Sequence, residues 1–69
     1  MIISRTARNL TDHLANRVAQ LPESEQDDVI EALQGISRRR AWVDHEAHEY
    51  VVAIDDVEFV RVPMSDLLG

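Results

Sequence analysis

The chain has 69 residues, a formal net charge of −6, three aromatic residues and no cysteine. That length allows one small domain, and a core of this size supplies little stability without a disulfide, a metal or a partner copy. The missing cysteines exclude disulfides and thiolate metal sites, so self-association is the support left, and a homodimer is expected.

Charge is unevenly distributed. Residues 1–40 carry six arginines (Arg5, Arg8, Arg17, Arg38, Arg39, Arg40) and six acids (Asp12, Glu23, Glu25, Asp27, Asp28, Glu31). Residues 41–69 carry seven acids (Asp44, Glu46, Glu49, Asp55, Asp56, Glu58, Asp66) against Arg61 alone. No segment approaches the roughly 18 apolar residues of a membrane span. Met1-Ile2-Ile3-Ser4-Arg5 has no apolar h-region, so no secretion signal is expected. The expected compartment is the cytoplasm of a bacterial cell, with a phage-encoded origin open.

Ala7, Leu10, Leu14, Val18 and Leu21 form an apolar stripe at helical spacing and predict a helix over residues 6–20, capped by Ser4 or Thr6. Pro22 interrupts it. A second helix is expected over residues 23–40, opened by Ser24-Glu25-Gln26-Asp27 as a capping box with Asp in place of Glu. Its acids lie in the first turns and Arg38, Arg39 and Arg40 at its end, which complements the helix dipole. The short joint makes the two helices antiparallel. The series Val29, Leu33, Ile36, Arg40, Val43, Ala47, Tyr50, Ile54 has heptad spacing, so continuation past Gly35 into a dimer seam is an open alternative.

Residues 49–62 predict a β-hairpin, with strands Tyr50-Val51-Val52-Ala53-Ile54 and Val57-Glu58-Phe59-Val60-Arg61-Val62 and a two-residue turn at Asp55-Asp56. Strict alternation puts Val57, Phe59 and Arg61 on one face and Glu58, Val60 and Val62 on the other. Neither face is then cleanly polar, which again favours a covering subunit. Pro63 ends the strand, and a short turn over residues 65–68 follows. The fold class expected is α+β: an antiparallel helix pair followed by a β-hairpin, in one homodimeric domain spanning residues 1–69.

The chemistry is sparse. His45 and His48 lie within Asp44-His45-Glu46-Ala47-His48-Glu49, but the spacing is H-E-x-H rather than the zincin H-E-x-x-H, and a solvated polar segment is the simpler reading. No glycine-rich turn surrounds Ser4, Ser24, Ser37 or Ser65. A non-enzyme is expected, with no catalytic residue, no metal and no cofactor. Arg38, Arg39 and Arg40 could contact nucleic acid or a partner's acids. Against direct nucleic-acid binding stands a sequence pI near 4.8. Trp42, Tyr50 and Phe59 lie among the acids of the second half, and aromatics amid charge suit an interface. Trp42, Glu46, Glu49, Tyr50, Asp55, Asp56 and Glu58 are the candidate contacts. The expected partner is a bacterial protein with a basic surface: a regulator, a toxin or a nuclease.

Leu21-Pro22-Glu23-Ser24-Glu25-Gln26, continuing to Leu33, resembles the L-P-E-x-E-Q helix of small bacterial antitoxins and toxin–antitoxin-associated proteins. The strand pair with the exit Val62-Pro63-Met64-Ser65 looks like the hairpins of small phage and plasmid regulators. Size and acidity are also similar to phage-encoded inhibitors of host proteins, among them anti-CRISPR proteins and quorum-sensing anti-activators that bind a regulator's DNA-binding domain. These resemblances imply an inhibitor that blocks a transcription regulator. An antitoxin, or a small DNA-binding regulator using Arg38, Arg39 and Arg40, is the alternative.

Overall fold

The computed structural model describes residues 5–68; Ser4, the N-terminal segment before it and Gly69 lie outside the described residues, and with them the expected Ser4 cap. The chain is α+β, in the order α1 (Arg5–Ala19), α2 (Glu23–Gln34), β1 (Arg39–Asp44), β2 (Glu49–Ile54), β3 (Val57–Pro63) and α3 (Met64–Leu68). The strands form one antiparallel sheet in the order β1-β2-β3.

The expected helix–helix–hairpin order is thus incomplete by one strand. α2 stops at Gln34 instead of reaching Arg40, and Gly35 leaves the helix in an extended conformation. Glycine weakens the helix at that point. The residues that follow include Ile36, Trp42 and Val43, and pairing with β2 recruits Arg39–Asp44 as a strand. No heptad seam runs past Gly35. The Arg triplet does not close α2, whose last turn holds no basic residue. The capping box is also absent. Pro22 occupies the N-cap without a side-chain bond, and Gln26 instead donates through Nε2 to the Leu21 carbonyl at 3.0 Å.

Asp55 and Asp56 form the two-residue β2–β3 turn, with φ of 53° and 66°. Two successive left-handed residues define the turn whose twist matches a hairpin. Val52 pairs with Val60 but Ala53 with Glu58, so Phe59 is an extra residue, a β-bulge. The bulge corrects the face assignment made by strict alternation. Before it, Glu58 lies opposite Ala53; after it, Arg61 lies opposite Val51. Ala53 and Val51 are two apart on β2, so Glu58 and Arg61 share a face.

One face therefore carries Arg40, Trp42, Asp44, Glu49, Val51, Ala53, Glu58 and Arg61. The other carries Ala41, Val43, Tyr50, Val52, Ile54, Val57, Val60 and Val62, with Arg39 at its corner. Helices cover the apolar face: Arg39 donates from it to the Leu33 carbonyl of α2 at 2.8 Å. The buried core comprises Val18, Ala32, Val51, Val52, Ala53, Val62 and Leu67. The stripe of α1 is only partly used, with Val18 buried and Leu10 and Leu14 half-buried. Asn9 fastens α1 to α3 by donating to the Asp66 carbonyl at 2.9 Å.

The bulge also explains Arg17. Its Nε donates to the Phe59 carbonyl at 3.2 Å, and its guanidinium lies 5.1 Å from the centre of the Phe59 ring. The residue displaced from the ladder is thereby held by charge and by its π-face. Among the described residues, no helix is long and apolar enough to cross a membrane.

Candidate functional site

The charged face of the sheet is built around Arg61. Its Nη1 donates to Asp44 at 2.9 Å and to Glu49 at 3.2 Å, and its Nε and Nη2 donate to the two oxygens of Glu58. Four residues from three strands meet because the register places them on one face. The hydrogen bond from Arg61 holds both Asp44 and Glu58 below the usual carboxylate range, and Glu58 and Asp44 in turn raise Arg61. Asp44 also shapes the β1–β2 turn, because its Oδ1 accepts from the backbone N–H groups of Glu46 and Ala47.

Trp42 stands on the same face, across Val51 from Arg61, and is 44% exposed. Val51 is fully buried, with Trp42 and Arg61 as its cross-strand neighbours on this face. The result is a charged face with an aromatic residue at its β1 edge. Arg40 lies beyond Trp42, 3.6 Å from Asp56 in a highly exposed pair. Asp44, Glu46, Glu49, Asp56 and Glu58 on this face and its turns oppose only Arg61 and Arg40.

The sequence candidates therefore divide. Trp42, Glu49 and Glu58 come together, with Glu46 and Asp56 at the two turns. Tyr50 does not join them; it lies on the helix-covered face. Asp55 is taken by Arg38, which donates to both its oxygens and to both oxygens of Asp28 on α2. The hydrogen bond from Arg38 lowers both carboxylates. The Arg triplet does not form a common cationic surface. Arg38 is ion-paired twice, Arg39 reaches the end of α2, and Arg40 lies on the opposite face from Arg39. A strand sends neighbours to alternate faces.

Two further features had no signal in the sequence. A shallow polar cleft of about 400 Å³ gathers Asn9, Asp12 and His13 of α1 with Ser65 and Asp66 of α3, and His13 Nε2 lies 3.6 Å from Asp66. No hydrogen bond among the described residues joins Ser65 to His13, so the trio lacks the relay of a nucleophilic site. An apolar groove of about 600 Å³ runs between α1 and α2, with Leu14, Val18, Ile30 and Leu33 in its walls. Both depend on contacts between residues distant in the chain, which spacing does not reveal. His45 and His48 sit in the β1–β2 turn, with His48 at φ 54°. Among the described residues no group of three or more His, Asp or Glu side chains converges as a metal site.

Comparison of the chain with protein families, curated proteins and solved structures finds no match.

Proposed function

We propose that this chain is a non-catalytic inhibitor that binds a bacterial protein, acts as a homodimer, and uses the uncovered face of its sheet as the contact surface. The observation that carries this reading is Trp42, half-exposed on edge strand β1 beside a carboxylate-rich face. An aromatic side chain held between charged neighbours gives the apolar centre and polar rim of an interface. The carboxylate surplus steers it toward a basic partner. The partner class is a regulator, toxin or nuclease, whose nucleic-acid-binding surface supplies that basic counterpart. The contact set is Trp42, Glu46, Glu49, Asp56 and Glu58. An anti-activator that covers a transcription regulator's DNA-binding surface is the form that the small size and acidity favour, while the resemblance at residues 21–26 favours an antitoxin as the alternative.

Capture from bacterial lysate tests it, with the native chain and Trp42→Ala as parallel baits and the captured protein identified by mass spectrometry. The native bait is expected to retain a basic protein whose nucleic-acid binding it then blocks in purified form. Equal capture by Trp42→Ala, or a captured protein that keeps its nucleic-acid binding, would sink the reading.

A further inference from the structure

We infer that the homodimer forms by antiparallel pairing of β1 with β1 of a second copy, in the register that sets the two Trp42 side by side. This takes up the dimer of the reading above and assigns it a surface.

β1 is an edge strand, paired only with β2. All its residues but Asp44 are exposed, and its middle, Ala41-Trp42-Val43, carries no charge. Such an edge is a template for another strand, and natural sheets usually blunt it with charge, proline or a bulge. None of these interrupts residues 41–43.

The backbone decides which groups are free. The Asp55 N–H donates to the Arg38 carbonyl at 2.9 Å, at the foot of the β1–β2 ladder. Alternate residues of a strand send their backbone groups to opposite sides. Arg40, Trp42 and Asp44 therefore turn theirs toward β2, and Arg39, Ala41 and Val43 turn theirs outward. The β2–β3 side agrees: the Met64 N–H donates to the His48 carbonyl, which leaves Glu49, Val51 and Ala53 facing β1. Among the described residues nothing takes up the outward groups of Ala41 and Val43.

A symmetric antiparallel pair must match outward groups with outward groups, so its centre can fall on Ala41, Trp42 or Val43. Within the strand, only the Trp42-centred register sets an arginine opposite an acid, Arg40 against Asp44 of the second copy, twice by symmetry. It also makes Ala41 and Val43 of opposite copies the hydrogen-bonded pairs. Trp42 then forms the central non-hydrogen-bonded pair, where side chains approach most closely. Because the two-fold axis is normal to the sheet, the charged faces of both copies lie on one side. The dimer is a six-stranded sheet with one continuous outer face and two adjacent tryptophans. The Val43 side chain, 37% exposed at the corner of the helix side, gains Ala41 of the second copy as a neighbour.

Light scattering or sedimentation at micromolar concentration is expected to give about twice the chain mass of 7.9 kDa. Val43→Pro deletes an outward N–H while leaving the β1–β2 ladder intact, a position where an edge strand tolerates proline. Its mass should fall by half with the circular dichroism spectrum retained. Arg40→Glu should weaken association roughly tenfold by opposing Asp44. Should Val43→Pro not fold, Trp42→Cys decides. A central non-hydrogen-bonded pair places Cα atoms about 4.5 Å apart, within disulfide reach, so mild oxidation should link two copies. Val57→Cys, at the far edge, should not link. A folded Val43→Pro that remains dimeric, or equal cross-linking at 42 and 57, overturns edge pairing alone. A native chain that stays monomeric overturns the dimer in both readings, while capture with Glu58→Ala, a contact residue on β3 away from the β1 edge, judges partner binding separately.

Discussion

Arg38 donates to both carboxylate oxygens of Asp55, from Nε at 3.0 Å and from Nη2 at 2.7 Å, while its Nη1 reaches Asp28 at 3.0 Å. One planar guanidinium thus ties the N-terminal half of α2 to the β2–β3 turn, across the point where the chain changes from helix to strand. A lysine at this position, a single point charge, cannot hold both carboxylates in a fork. Arg38→Lys should lower the melting temperature, and Arg38→Met should lower it further; both losses should shrink in high salt, because the cluster is partly exposed. Thermal melts at low and high ionic strength check this.

Acid should act on the same clusters. Asp28 and Asp55 are held low by Arg38, and Asp44 and Glu58 by Arg61. A carboxylate whose folded pKa is depressed contributes stability that is fully present above its unfolded value, near 4, and is lost as pH falls through the folded value. Urea midpoints should therefore hold steady, as far as these groups act, from neutral pH to about pH 5 and decline below about pH 4. A midpoint that stays constant to pH 2 would contradict the assigned pairing.

Removing the central cation should reverse that slope. Arg61→Met leaves Asp44, Glu49 and Glu58 facing one another without a counter-charge. Mutual repulsion then raises the folded pKa values of Asp44 and Glu58. The variant should be less stable than the native chain at pH 7 and regain part of the difference as pH is lowered toward 4. Parallel urea titrations at the two pH values give the sign directly.

The β2–β3 turn offers a stabilising change. Asp56 sits at φ 66°, a region that costs a non-glycine residue about 1 kcal/mol. Its side chain makes only the long exposed pair with Arg40. Asp56→Gly should raise stability by roughly 0.5–1 kcal/mol, whereas Asp55→Gly should not, since it also removes the Arg38 clamp. Chemical denaturation of the two variants separates these effects.

Core truncation should be costly for so small a protein. Leu67 of α3 is buried, and Leu67→Ala is expected to cost about 2–5 kcal/mol. That approaches the whole stability of a domain this size. A Leu67→Ala chain with unaltered melting temperature would show that α3 does not contribute to the core.

Local chemistry in the sequence determined the first two elements and one turn. The stripe through Leu10, Leu14 and Val18, the interruption at Pro22 and the acids after it mark two helices, because period and proline interruption are properties of neighbouring residues. Asp55-Asp56 marks the hairpin turn for the same reason: few other pairs accept two left-handed conformations. What only the tertiary structure decided lies in pairing. Arg39 and Arg40 read as the end of a helix, and Arg39–Asp44 becomes a strand because β2 offers it a ladder. The bulge at Phe59 depends on Arg17, 42 positions earlier, taking its carbonyl, and it alone sorts β3 into a charged and an apolar face. The acids of the second half are numerous by count, and Arg38 and Arg61 ion-pair Asp44, Glu49, Asp55 and Glu58 without cancelling them, since each guanidinium carries one charge. The resulting surplus flanks Trp42 on edge strand β1, whose position across Val51 from Arg61 is a matter of register and has no trace in local spacing.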